Sequence, residues 1–270
     1  MRIADALGRE HAFPAPPRRI VSLVPSLTET LFALGVGGTL AGVTDFCVHP
    51  ADGVAALPRV GGTKNPSLSA IRALAPDLVL ANKEENRRRD VESLEAAGVA
   101  VFVTYARSVR EAVAEIRLLG RICASEAPAS RIAAEVEAAL ASVAARRAGA
   151  PATSTAALVW RDPFMVVGGD TFAHDLLLCC GARNPFAGAG PSRYPRVERG
   201  ALEAAQPEVI LLPTEPYAFG ERDREELLAL DCPASRAGRV HVIEGELLSW
   251  YGPRMPRALE TIAALLLPGA

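Results

Sequence analysis

The side chains able to do chemistry are few, and they gather where elements end. The chain has two tryptophans and four tyrosines. Trp160 closes an apolar run, Tyr105 directly follows another, and Tyr217 comes soon after a third that ends at Leu212. Trp250 and Tyr251 follow the run Val240–Ile243, and Tyr194 sits in the Pro- and Arg-rich stretch Pro191–Arg196. An aromatic ring offers flat, rigid contact area with a polar tip. At loop positions such rings suit stacking on a planar ligand. The alternative is that they plug loops onto the core.

Polar loops share these places. Pro25-Ser26-Leu27-Thr28-Glu29 follows the first apolar run, where helix-start amides can hold an anionic or carbonyl group. Ordinary capping by Ser26 is the competing reading. Asp45-Phe46-Cys47 follows the second run and Asn82-Lys83-Glu84-Glu85-Asn86 the third. Trp160-Arg161-Asp162-Pro163 and Gly168-Gly169-Asp170-Thr171 belong to the second half. Acid–base chemistry has little to work with. There are four histidines and no HExxH, GxSxG, GxGxxG or Walker A pattern. His174 and Asp170, one helical turn apart, are either a pair or a surface contact. Cys47-x-His49 supplies two ligands, short of the tetrahedral set that zinc demands, so a bare-ion site needs Asp45, Cys47, His49 and Glu84 to converge. The residues read as a binding protein with no catalytic group.

These groups must be positioned by alternating strands and helices. Ile20–Val24, Leu40–Thr44, Leu78–Ala81 and Val99–Thr104 read as strands in the first half. Helices follow at Ser26–Leu34, with Ser26 and Glu29 as a capping box and Gly35 as the stop, and at Asn86–Ala97. Ser108 and Glu111 cap a further helix. The second half repeats the plan. Strands are expected at Thr155–Trp160, Phe164–Val167, Val209–Leu212 and Val240–Ile243, with helices at Thr171–Cys180, at Glu221–Leu230 and from Pro256. Continuous apolar strands between helices indicate parallel sheets covered on both faces. Ile71–Leu80 also resembles Leu202–Leu211, with Glu84 falling opposite Glu215. The expected class is α/β, with two Rossmann-like lobes.

One segment separates the halves. Ala129–Ala148 has no glycine or proline, and Ile132, Val136, Leu140 and Val143 form a stripe at helical spacing. Ser125 and Pro128 suit its start, and Gly149 and Pro151 its end. Twenty helical residues span roughly 30 Å. A connector of that length holds two lobes apart and leaves a cleft, a favoured place for ligands. The expected boundaries are a first lobe over residues 19–124, the helix over 125–149 and a second lobe over 150–270.

Composition narrows the classes. Half the residues are hydrophobic and the net charge is −2, which excludes disorder and gives no footprint for nucleic acid. No apolar run is long enough to insert in a membrane. Residues 1–19 carry Arg2, Asp5, Arg9, Glu10 and His11 and lack the apolar core of a signal peptide. With Met1 as the natural start, the expected location is the cytoplasm; otherwise it is the periplasm or cell surface. Five cysteines, odd in number and without metal-pair spacing, fit reduced thiols.

Arg19-Ile20-Val21-Ser22-Leu23-Val24-Pro25-Ser26-Leu27-Thr28-Glu29 resembles the opening of the substrate-binding proteins with a helical backbone. These are the vitamin B12- and iron-siderophore-binding components of ABC importers. The resemblance continues through Pro76–Asn86, Trp160–Pro163, Gly168–Thr171 and Leu248–Arg254. It implies two α/β lobes on one backbone helix, little hinge closure, and a corrin clamped between aromatics. Carried over, Pro25, Ser26, Phe46, Trp250 and Tyr251 line the cleft. The chain departs from the B12 binders at Asn82 and near Thr63, where they have aromatics. It departs near Arg88, where the acidic permease contact falls, and at Cys180, whose disulfide partner is missing.

The expected ligand is a cobalamin-like or other metal chelate, with no cofactor required. Its contacts would come from Pro25, Ser26, Asp45, Phe46, Asn82, Lys83, Glu84 and Tyr105 in the first lobe. Trp160, Arg161, Tyr194, Tyr217, Trp250 and Tyr251 would supply the rest from the second. An ABC permease is the expected macromolecular partner, met through Glu84 and Glu215 by a monomer. A bare metal ion or small polar solute is the second reading, and a cytoplasmic enzyme acting on a corrinoid is the third.

Overall fold

The computed structural model describes residues 1–267. The chain divides into two compact units. One comprises Met1–Ala106 and Ala112–Ala134; the other comprises Arg107–Glu111 and the chain from Glu135 onward.

The first unit begins with a hairpin, β1 (Arg2–Ala4) and β2 (Glu10–Ala12). Then come β3 (Ile20–Ser22), α1 (Pro25–Ala33), β4 (Leu40–Val43) and α2 (Ala51–Val54). A second short hairpin, β5 (Gly61–Gly62) and β6 (Asn65–Pro66), precedes α3 (Leu68–Ala73). The unit continues with β7 (Leu78–Asn82), α4 (Arg88–Ala96), β8 (Val101–Thr104) and α5 (Val109–Ile122). Its main sheet has the order β4-β3-β7-β8, and every pairing in it is parallel. Val21, Val79, Ala81, Val101 and Val103 join one core cluster with Ile71, Val91 and Leu94. Ile20, Leu78, Leu80 and Phe102, the alternate residues, are buried as well. A sheet covered on both faces explains the unbroken apolar runs.

Two features differ from the expectations. Helix α1 begins at Pro25, with Val24 as its N-cap and no side-chain cap. Proline is pre-organised for the first helical position and lacks the N–H that would be orphaned there. Ser26 therefore lies inside the first turn and the capping box does not form. The stop at Gly35 holds: its φ is +77°, and the Gly35 and Val36 amides reach back to Phe32 and Leu31 in a Schellman pattern. The hairpin β1–β2 was not foreseen. It lies along the outer edge of β8, with the Ala6 amide donating to the Val103 carbonyl at 2.9 Å and Arg9 to the Val101 carbonyl at 3.3 Å. Covering an edge strand removes a template for unwanted pairing.

Helix α6 (Glu126–Arg146) runs from the first unit into the second. Ala129, Ile132, Ala133, Val136, Ala139 and Val143 are its buried positions, at helical spacing.

The second unit contains β9 (Thr153–Trp160), β10 (Met165–Val166), α7 (Phe172–Cys179), β11 (Ala182–Arg183) and α8 (Arg199–Ala204). It closes with β12 (Val209–Pro213), α9 (Glu221–Leu227), α10 (Pro233–Arg236), β13 (Val240–Ile243), α11 (Glu246–Ser249) and α12 (Met255–Leu266). The sheet order is β10-β9-β12-β13, with β11 also beside β9. Strands β11, β9, β12 and β13 pair in parallel; β10 folds back antiparallel on β9. The repeated segment is a repeated structure. Ala75 and Gln206 stand at matching positions between a short helix and a proline, and both have φ +44°.

Candidate functional site

In each sheet the chain leaves one central strand towards one side and returns on the other. In the first unit the reversal lies between β3 and β7; in the second it lies between β9 and β12. Open α/β sheets bind ligands outside the carboxyl ends of the strands at such a switch point. The loops at these ends carry most of the residues singled out from the sequence.

In the first unit β3 leads directly into α1 at Pro25. Val24 offers no side-chain cap to the first turn of α1, and Ser26 and Leu27 in that turn are buried. After β7, Lys83 is exposed and its ammonium lies 4.6 Å from the centre of the Tyr105 ring. This contact fixes the charge over a ring that follows β8. Phe46 follows β4 and is 60% exposed. Its ring edge lies against the Cα of Gly62, where an added Cβ would approach it to 3.3 Å. Asp45 is exposed, and its amide donates to the Gly61 carbonyl.

Asn82 has a different role from the one expected. It is 4% exposed. Its Oδ1 accepts the Glu84 and Glu85 amides at 2.8 and 3.2 Å, and its Nδ2 donates to the Thr104 carbonyl and hydroxyl. Those bonds exhaust both donors and both lone pairs, so Asn82 shapes the Lys83–Glu85 loop and leaves nothing for a ligand. Asn86 continues the scaffold, accepting the Asn82 amide and donating to the Thr63 carbonyl. Glu84 is half-buried, with its carbonyl accepting the Lys64 ammonium.

In the second unit Trp160 ends β9 and is 43% exposed. Tyr217, in the loop after β12, meets it edge to face at 5.7 Å and meets Phe219 at 4.7 Å. Edge-to-face contacts of this kind hold aromatic rings in place, so Trp160 is a braced platform over the switch point. Arg161 is occupied elsewhere. Its guanidinium pairs with Asp223 and with Glu226. Those bonds raise its pKa, Asp223 contributing most. Tyr194 is half-buried in a loop that bridges to β10 through Met165 and Arg196.

Trp250 and Tyr251 are each 8% exposed. The Arg254 guanidinium covers the Trp250 ring at 5.2 Å, and Phe172 meets Tyr251 edge to face at 5.5 Å. Among the described residues, the aromatic rings at the strand ends that are most exposed are those of Phe46 and Trp160.

The bare-ion convergence does not occur. Among the described residues, no three His, Cys, Asp or Glu side chains gather to hold a metal ion. Cys47 is fully buried, with its Sγ 3.1 Å from the Thr28 and Thr44 hydroxyls. His174 contacts Asn184 at 3.2 Å, while Asp170 pairs with Arg107 at 3.0 Å. Sequence reasoning missed Lys64, which sits in the turn of the hairpin β5–β6, whose strands are too short to read from sequence. It also missed Arg59, whose guanidinium donates to the Thr44, Cys47 and Val54 carbonyls and so holds the turn bearing Phe46.

A model of the periplasmic binding protein family matches residues 20–240. The vitamin B12-binding protein of Photorhabdus laumondii is 25% identical over 256 residues, covering 95% of this chain and 90% of its own. An uncharacterized ABC transporter substrate-binding lipoprotein of Bacillus subtilis is 26% identical over 273 residues, covering 98% and 85%. Among solved structures, the apo form of the periplasmic heme-binding protein RhuT of Roseiflexus sp. RS-1 superposes with a TM-score of 0.80 at 28% identity. That match covers 92% of this chain and 97% of the other. No described helix is long and apolar enough to cross a membrane.

Proposed function

The chain belongs to the periplasmic binding protein family, and we propose that it binds a metal chelate of the cobalamin or heme type for an ABC importer. The observation that carries this reading is the braced, open ring of Trp160 at the switch point between β9 and β12. Planar macrocycles bury large apolar faces, and such a ring receives one without prior rearrangement. In the first unit, the exposed Phe46 and the Lys83–Tyr105 pair lie at the strand ends. The first turn of α1, which starts at Pro25 and Ser26 and has no side-chain cap, lies at the same strand ends. The named ligands of the relatives, vitamin B12 and heme, support the chelate class.

The test is native mass spectrometry of protein purified from its own host, followed by absorption spectroscopy. A co-purified species with a corrin or porphyrin spectrum is the expected result. A bound non-chromophoric solute would replace this reading. Glu84 and Glu215, at matching places after β7 and β12, are the proposed permease contacts. Reconstitution should give a complex with the parent that is lost in Glu84→Ala/Glu215→Ala.

A further inference from the structure

Of the 29 lysines and arginines in the chain, only Lys64 and Lys83 are lysines. Both stand at the same end of the first sheet. Lys64 is in the turn between β5 and β6, and its ammonium donates to the carbonyl of Glu84, the residue next to Lys83. Lys83 is exposed, with its ammonium held 4.6 Å from the Tyr105 ring centre. Tyr105 is itself anchored, its amide donating to Glu115 at 2.5 Å. The start of α1, which has no side-chain cap, follows the neighbouring strand β3 and adds the positive end of a helix dipole at this end of the sheet. Both cations pair with carboxylates, but an ammonium on its flexible stem, with three steerable donors, can follow a carboxylate arm whose position varies, where a guanidinium needs planar alignment. A chain that otherwise uses arginine thus presents two compact cations at one rim.

We infer that Lys64 and Lys83 form a subsite that receives peripheral carboxylates of the bound chelate. The inference rests on the chelate reading above and narrows it to macrocycles with free carboxylate arms. Glu85 is the internal competitor, since its carboxylate lies within electrostatic reach of Lys64. The ligand's carboxylates add to that field, so removing the Glu85 charge strengthens their binding.

The experiment titrates hemin, which carries two propionates, and hemin dimethyl ester, which carries none. The proteins are the parent, Lys64→Met/Lys83→Met and Glu85→Gln. The expected result is about tenfold weaker hemin binding by the double variant, a loss of one charge-assisted hydrogen bond or more. Glu85→Gln should bind hemin more tightly than the parent does. Ester binding should stay the same in all three proteins. A general distortion of the rim would weaken both probes alike, and that result overturns the subsite while leaving the chelate reading standing. Hemin binding unaltered by the lysine substitutions overturns it too. A parent that binds neither probe overturns both readings.

Discussion

Asp77 and Glu208 anchor the first strand of their own sheets with the same pair of bonds. The Asp77 carboxylate accepts the Arg18 and Arg19 amides at 2.8 and 3.0 Å, and the Asp77 amide donates to the Arg19 carbonyl. The Glu208 carboxylate accepts the Ser154 amide at 2.7 Å, and the Glu208 amide donates to the Ser154 carbonyl. Each acid follows a proline and immediately precedes a strand, β7 or β12. The likeness between the two halves of the sequence is therefore a likeness of hydrogen-bonding plan.

Asp77→Ala and Glu208→Ala should each lose about 1–2 kcal/mol of stability in urea unfolding, the usual worth of bonds to a charged acceptor. A change within about 0.3 kcal/mol for both would mean that these bonds are ornamental and the strand starts are fixed by burial alone.

Strand positions were legible because both faces of each sheet are covered, so Val79–Leu80 and Ile210–Leu211 read as apolar runs whatever their register. The long helix was legible from the spacing of Ile132, Val136 and Val143. The hairpin β1–β2 was not, because its strands have three residues each and their stability comes from the buried Asp5 carboxylate, which accepts the Leu7 and Arg9 amides. For the site, the sequence located the loops but not the work of each side chain. Asn82 and Arg161 have the composition of ligand contacts, yet their partners Thr104, Asp223 and Glu226 come from distant positions that no spacing rule reveals.

Asn82→Asp should be costly. The new carboxylate keeps the acceptor for the Glu84 and Glu85 amides but turns a second oxygen towards the Thr104 carbonyl, where Nδ2 now donates. The site is buried, so the repulsion is not relieved by water. A loss of about 2–3 kcal/mol is expected in urea unfolding. Parent-like stability would show that the loop does not depend on this side chain.

Gly245→Ala should displace Glu215. A Cβ at Gly245 would lie 2.5 Å from the Glu215 backbone nitrogen, a group that cannot swing away. Overpacking of this kind costs about 1–3 kcal/mol. It should also disturb the bond from the Ser249 hydroxyl to the Glu215 carboxylate, now 2.9 Å. Thermal unfolding of the variant checks the cost, and an unchanged midpoint would contradict it.

Stability should fall as pH drops from about 7.5 to 5, across the ordinary histidine range near 6.5. Burial pushes the His174 pKa down, against the nearby Asp175 charge. Burial also lowers that of His241, aided by Arg239 and Arg224. A depressed histidine favours folding above its unfolded pKa and loses that contribution as pH falls through the folded one. His241→Gln should flatten the dependence of unfolding free energy on pH. An equally steep dependence in the variant would assign it to other groups.

The central claim is that a metal chelate stacks on Trp160. Isothermal titration of the parent and Trp160→Ala with hemin and cyanocobalamin tests it most directly. At least one chelate should bind the parent with a Kd of about 1 μM or tighter. The same chelate should bind Trp160→Ala several-fold to about tenfold more weakly, the worth of one aromatic contact. No binding of either chelate to the parent, or equal affinity in the variant, would contradict the account.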